Sequence, residues 1–209
     1  MRPIYIDIDP VDANLTGFAS NVTGASWALT ANSSGDTLAH RVSIRNDSAT
    51  DHSGKTAILV GTDADGRAQT ETIALPAGSA TVESTKYFLT LTSVTPSATI
   101  GADTMDIGWV DEVASKTIPM PRYRETAPNL ALNVTGTIAI HVDLTNDDVQ
   151  VLNADQNSFL WVPDSGSWTS GVNADTMDGV AEWPVQALRV VVESYSSGAE
   201  LQLVIVQAY

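Results

Sequence analysis

A few groups of residues have the types and spacing to do chemistry. Asp63, Asp65 and Gly66 form a D-x-D-G fragment. Carboxylates two apart beside a turn glycine can open a calcium loop, but such a loop needs a glutamate at its twelfth position. That position, counted from Asp63, is Ala74, so the fragment reads as a hairpin turn. Asp143, Asp147, Asp148 and Asp155 gather around a loop. Paired carboxylates serve glycoside hydrolysis or hold a cation, whereas the default for such a loop is a solvated acidic surface. His40, His52 and His141 are dispersed and lack His-x-x-x-His spacing. His40 and His141 fall in strand-like runs and read as structural. Ser34-Gly35 and Ser53-Gly54 have no G-x-S-x-G context, and no glycine-rich phosphate cradle occurs. Trp27, Trp109, Trp161, Trp168 and Trp183 could stack on sugars if exposed. Each lies in or beside a strand-like run, where an aromatic in a core or a subunit interface is ordinary. No catalytic, metal or cofactor residue is therefore assigned, and the expectation is a protein that is not an enzyme.

Whatever positions these residues must be built from β-strands. The 209 residues allow one large β domain or two of about 100 residues. At this size about 70% of the unfolded surface can be buried, so the core needs no covalent staples. There is no cysteine, which excludes disulfides and thiolate metal sites. No apolar run approaches the roughly 20 residues of a membrane-spanning helix. The first ten residues, MRPIYIDIDP, lack the apolar run of a signal peptide. The net charge is −15, from 25 acidic and 10 basic residues. The acids are spread evenly: residues 1–115 carry a net −8 and residues 116–209 a net −7. Such a coat repels polyphosphate. Nucleic-acid binding needs clustered bases, and Arg41/Arg45 and Arg122/Arg124 are only pairs. Neither a nucleic acid nor a membrane is expected as a partner.

Period-2 alternation recurs along the chain. Ile4, Ile6 and Ile8 share one parity, as do Leu38, Val42 and Ile44. So do Leu89 and Leu91, Ile138 to Leu144, Leu188 to Val192, and Leu201 to Ile205. Turn signals separate the runs at 32–36, 63–66, 76–78 and 196–198. The closing segment, Trp183 to Tyr209, reads as strand, turn, strand. This cadence predicts an all-β protein, an antiparallel β-sandwich or jelly-roll-like fold. A helix of about one turn at Asp111–Lys116 is the one helical alternative. Pro119, Pro121 and Pro128 remove backbone donors within Ser115–Pro128. The expected organisation is an N-terminal β unit over 1–115 with an extended N-terminal arm, a Pro-rich connector over 116–128, and a C-terminal β-sandwich unit over 129–209. An extended edge segment within one sandwich is the alternative for the connector. A short echo, Ala102–Asp106 and Ala174–Asp178, offers a repeated fold as an alternative reading.

Two segments carry a family resemblance. In Gly61–Trp109 a glycine-turn hairpin precedes a strand marked by Thr85, Phe88, Leu91, Ser93, Val94 and Thr95. In Asp143–Tyr209, Asp147, Asp148 and Gln150 precede a strand with Phe159 and Trp161. Pro184, Val185, Ala187, Leu188 and Arg189 follow, and a closing hairpin ends in Gln207-Ala208. Together these resemble small all-β virion proteins of tailed bacteriophages, above all head decoration, or cement, proteins. The resemblance implies a subunit on the capsid exterior that binds the major capsid protein and itself, as a homo-oligomer and typically a trimer. Residues 1–60 match less clearly. Their extended start, with Arg2, Pro3, Ile4, Tyr5 and Ile6, is a candidate interface arm that adds a strand to a neighbouring sheet. A tail component and a carbohydrate-binding module for host attachment are the rival readings.

Overall fold

A computed structural model describes residues 3–120, 128–149, 156–165, 168, 171, 178–180 and 185–206. The elements in chain order begin with β1 (Ile4–Ile8), β2 (Asn14–Val22), β3 (Ala39–Asn46), β4 (Thr56–Thr62), β5 (Ala68–Ala74), β6 (Thr81–Phe88) and β7 (Thr90–Pro96). There follow β8 (Met105–Ala114), β9 (Ile118–Pro119), β10 (Asn129–Thr135) and β11 (Ile138–Thr145). A 3-10 turn covers Gln156–Ser158. The last strands are β12 (Val162–Pro163), β13 (Asp178–Val180), β14 (Ala187–Tyr195) and β15 (Glu200–Val206). The protein is all-β, and the strand pairs whose registers are described are antiparallel. It forms two compact units, Ala13–Val110 and a second made of Met1–Asp12 with Asp111–Tyr209.

In the unit Ala13–Val110, β4 is the centre of a three-stranded sheet in the order β5-β4-β7. The other strands form a layer in which β3 lies between β6 and β8, and β2 pairs with β8. Alternation explains β4: Ala57 and Leu59 are fully buried, while Ile58 and Val60 point outward. The core gathers Phe18, Trp27, Val42, Ile44, Leu59, Phe88, Leu91, Val94, Ile107 and Trp109. Gly61 sits where β7 shifts register against β4. A Cβ there would lie 1.9 Å from the Thr90 carbonyl oxygen, so the close approach of the two backbones requires glycine. The expected single strand around Leu89 is two strands. The chain bends at Leu89, so Phe88 and Leu91 are both buried although their parities differ.

In the unit that joins Met1–Asp12 to Asp111–Tyr209, one sheet runs β1-β15-β10-β13. Register pairs Ile4 with Ile205 and Ile8 with Leu201, and Leu130 with Ile205 on the other side of β15. A second sheet places β14 beside β11, with β12 on the far edge of β11. The last residues of β8, together with β9, pair with β14. Ile138, Ile140, Val142, Val190 and Val192 have no exposed surface.

Three expectations change here. Asp111–Ala114 continues β8 as strand, so no helical turn begins there. The boundary between units falls inside β8, at Val110/Asp111, and not at the proline-rich segment. Ile118-Pro119 of that segment pairs with β14, and 121–127 lie outside the described residues. The N-terminal strand belongs with the C-terminal unit, because its partner is β15. The second copy of the echo, at 174–177, also lies outside the described residues.

Candidate functional site

Among the described residues of the C-terminal unit, a buried polar cluster lies on the β11–β14 pair. Register sets Asp143 directly opposite Arg189. Both are buried, and the guanidinium grips one carboxylate oxygen twice: Nε donates to Oδ2 at 2.9 Å and Nη2 lies 2.8 Å from the same atom. Trp161 covers the guanidinium, with Cζ 4.6 Å from the ring centroid, a cation–π contact. Arg189 Nη1 also donates to Gln156 Oε1 at 3.3 Å. Gln156 ties the cluster to the chain around it. Its amide donates to Thr117 Oγ1 at 2.9 Å and to the Ser115 carbonyl at 3.3 Å, and its own carbonyl accepts from Trp161 Nε1 at 2.7 Å.

His141, two residues before Asp143, extends the cluster. Its Nδ1 meets Glu193 Oε1 at 2.8 Å and its Nε2 lies 3.4 Å from Asp143 Oδ1. Glu193 Oε2 accepts from the Gly171 N–H at 2.9 Å. Burial works against the His141 imidazolium, but the hydrogen bonds and charges of Asp143 and Glu193 outweigh it and hold the group above its ordinary value of 6.5. Burial would likewise raise Asp143. The hydrogen bond from His141 and the charge of Arg189 prevail and hold its carboxyl below 3.8.

These opposite shifts give the cluster a pH window. His141 is raised in the fold, so its contribution is complete below about 6.5 and is lost as pH rises through its higher folded value. Asp143 is lowered, so its contribution is present above 3.8 and is lost as pH falls through its lower folded value. Urea unfolding is expected to show stability declining from pH 6 to pH 9 by on the order of 1 kcal/mol, the scale of a partly buried ion pair. His141→Gln should start lower at pH 5.5 and lose little more on the alkaline side. An unchanged alkaline slope in that variant would contradict the assignment.

The acids grouped by sequence separate in space. Asp143 belongs to the buried cluster, whereas Asp147 Oδ2 accepts the Leu160 N–H at 2.6 Å and so fixes a loop. Asp155 lies outside the described residues. Leu160 and Val162 are exposed beside a cavity of about 420 Å³ that Leu144, Pro163 and Val185 also line.

In the N-terminal unit the D-x-D-G fragment is a hairpin turn between β4 and β5. Asp63 is buried, and its Oδ1 accepts the N–H groups of Asp65 and Arg67, each at 2.9 Å. Gly66 takes a φ of +79°, the left-handed conformation this turn needs. His40 is buried between Asp36, 2.7 Å from Nε2, and the Val110 carbonyl, 3.1 Å from Nδ1. His52 is buried against Asp103 at 2.9 Å and receives Lys55 Nζ at 3.0 Å. His40 ties the Asp36 loop to β3 and β8, and His52 ties two loops together. Trp27, Trp109 and Trp168 are buried and offer no face to a sugar, while Trp161 is committed to Arg189 and to Phe159, 6.1 Å away edge-on. Trp183 lies outside the described residues.

Of the candidate arm, Arg2 lies outside the described residues, and Pro3, Ile4 and Tyr5 are exposed. Ile4–Ile8 already spends one edge on β15 of its own chain. Its other edge meets no strand among the described residues.

No protein-family model matches the chain, and no curated protein sequence matches it. Among solved structures the chain is similar to the major capsid protein P2 of bacteriophage PM2, at 10% identity over 98% of each chain, with a TM-score of 0.20. A similarity that low carries no argument about fold or function.

Proposed function

We propose that this chain is a non-enzymatic structural protein of a bacteriophage particle, a decoration or cement subunit on the capsid exterior. The observation that carries the reading is the place of the resemblance residues in the fold. Phe88, Leu91 and Val94 of the first segment are core residues. Phe159, Val185, Ala187, Leu188 and Arg189 of the second are buried as well. Most apolar residues that carry the resemblance are thus scaffold residues, while Thr85 and Thr95 of the same pattern are exposed. An even acidic coat suits an outward position away from packaged DNA.

The partners in this reading are the major capsid protein and further copies of the chain, as a trimer. The mechanism is mass action. A subunit that binds only the assembled lattice stabilises it by RT ln(1 + [L]/Kd), about 2.7 kcal/mol per site at about a hundredfold excess over Kd. Electron microscopy of intact particles is expected to show density for this chain at regular positions on the outer shell. Density confined to the tail would overturn the reading.

A further inference from the structure

The outer face of the β5-β4-β7 sheet carries no charge. Ile58 and Val60 stand at its centre, 43% and 37% exposed. Register puts Thr72 and Thr70 beside them on β5 and Thr95 and Ser93 beside them on β7. The remaining outward positions of β4 and β5 are threonine and alanine. Glu71, the one charged residue within the three strands, accepts hydrogen bonds from the Thr85 and Lys86 N–H groups instead.

Two other strand surfaces among the described residues carry charge. The recess formed by β1, β10 and β15 carries Asp7, Asp9 and Glu200, and β3 and β6 carry Arg41, Arg45 and Glu83.

We propose that this neutral face is a self-association surface and that its occupant is the same face of a second copy of the chain. Two copies at −15 each repel, and apposing most of their surfaces would bring carboxylates together. Here two copies can meet without burying any charge, with Ile58 and Val60 central and threonine, serine and alanine around them. Face-to-face packing of two such sheets is the arrangement of a β-sandwich, with layers about 10 Å apart. The contact is two-fold and self-complementary. It links subunits in pairs, apart from any three-fold contact made elsewhere, and does not depend on the capsid reading.

Area sets its strength. Strands of seven residues at about 3.4 Å per residue, spaced about 4.8 Å apart, give a footprint of about 340 Å² per copy. The total of about 700 Å² is below the roughly 1,200 Å² of stable specific interfaces. The pair is therefore weak in solution and is favoured at high local concentration.

Sedimentation of the full chain up to about 1 mM tests this. A reversible dimer with a Kd of roughly 0.1–1 mM is expected. It should tighten as NaCl rises from about 0.05 to about 0.5 M, because screening relieves the repulsion between copies. Val60→Glu should weaken it about tenfold or more by burying like charges. Thr72→Glu, at an exposed rim position, should weaken it in the same direction, and the melting transition of each variant checks its fold. Leu160→Glu, at an exposed apolar residue of the other unit, should leave it unchanged. A chain that stays monomeric at about 1 mM in high salt overturns the proposal. So does a dimer that weakens with salt, one indifferent to both face variants, or one abolished by Leu160→Glu alone.

Discussion

Replacing Arg189 by alanine is expected to cost about 3–5 kcal/mol of unfolding free energy, because it leaves a buried carboxylate without its counter-charge. Asp143 would keep only the 3.4 Å contact with His141. It would lose both guanidinium contacts, while Gln156 Oε1 and the Trp161 face would lose a partner in the same step. The arginine stem is also part of the packing, so the loss is not only one of charge. Urea midpoints at constant slope would measure it. The pair as a whole is a different quantity. Desolvating both ions offsets most of their attraction, so the double variant Asp143→Leu with Arg189→Met should fall far closer to the wild type than Arg189→Ala does. A cost below about 1 kcal/mol for Arg189→Ala would mean that water reaches Asp143 and that the cluster is not buried in solution.

This cluster was legible only in part, and the reason is physical. The alternation of Ile138, Ile140 and Val142, and of Leu188, Val190 and Val192, identified two strands and their core faces, because a period of two survives in any sheet. Asp143 and Arg189 stand on the opposite parity. That they face each other depends on the pairing of β11 with β14 and on its register, which joins residues 46 apart. Proximity in sequence instead grouped Asp143 with Asp147 and Asp148. An acid and a base on the non-core parity of two strands that are both apolar on the other side was the available signal. Ile4–Ile8 is a similar case. Its alternation marks a strand, but only the fold shows that its partner is Glu200–Val206 at the far end of the chain. The helical turn considered at 111–116 fails because pairing with β14 at Val113 and Ala114 outweighs local propensity.

Trp109 and Gly17 should prove energetically coupled. Trp109 packs edge-on to Phe18 at 5.0 Å and lies 6.0 Å from the His40 ring, so it is held on two sides. A Cβ on Gly17 would lie 2.0 Å from its Cζ3. The ring has no room to retreat, since Phe18 is buried and His40 is tied to Asp36. Trp109→Ala is expected to cost about 3–5 kcal/mol through lost burial and the cavity it leaves. Gly17→Ala should cost about 1–3 kcal/mol by overpacking. In the Trp109→Ala background the added methyl enters space that the indole has vacated, so the Gly17→Ala cost should fall by at least about 1 kcal/mol and can change sign. Denaturant unfolding of the four proteins gives the coupling directly. Additive costs would mean that Gly17 is required by its backbone and not by the indole, and that the ring packs elsewhere in solution.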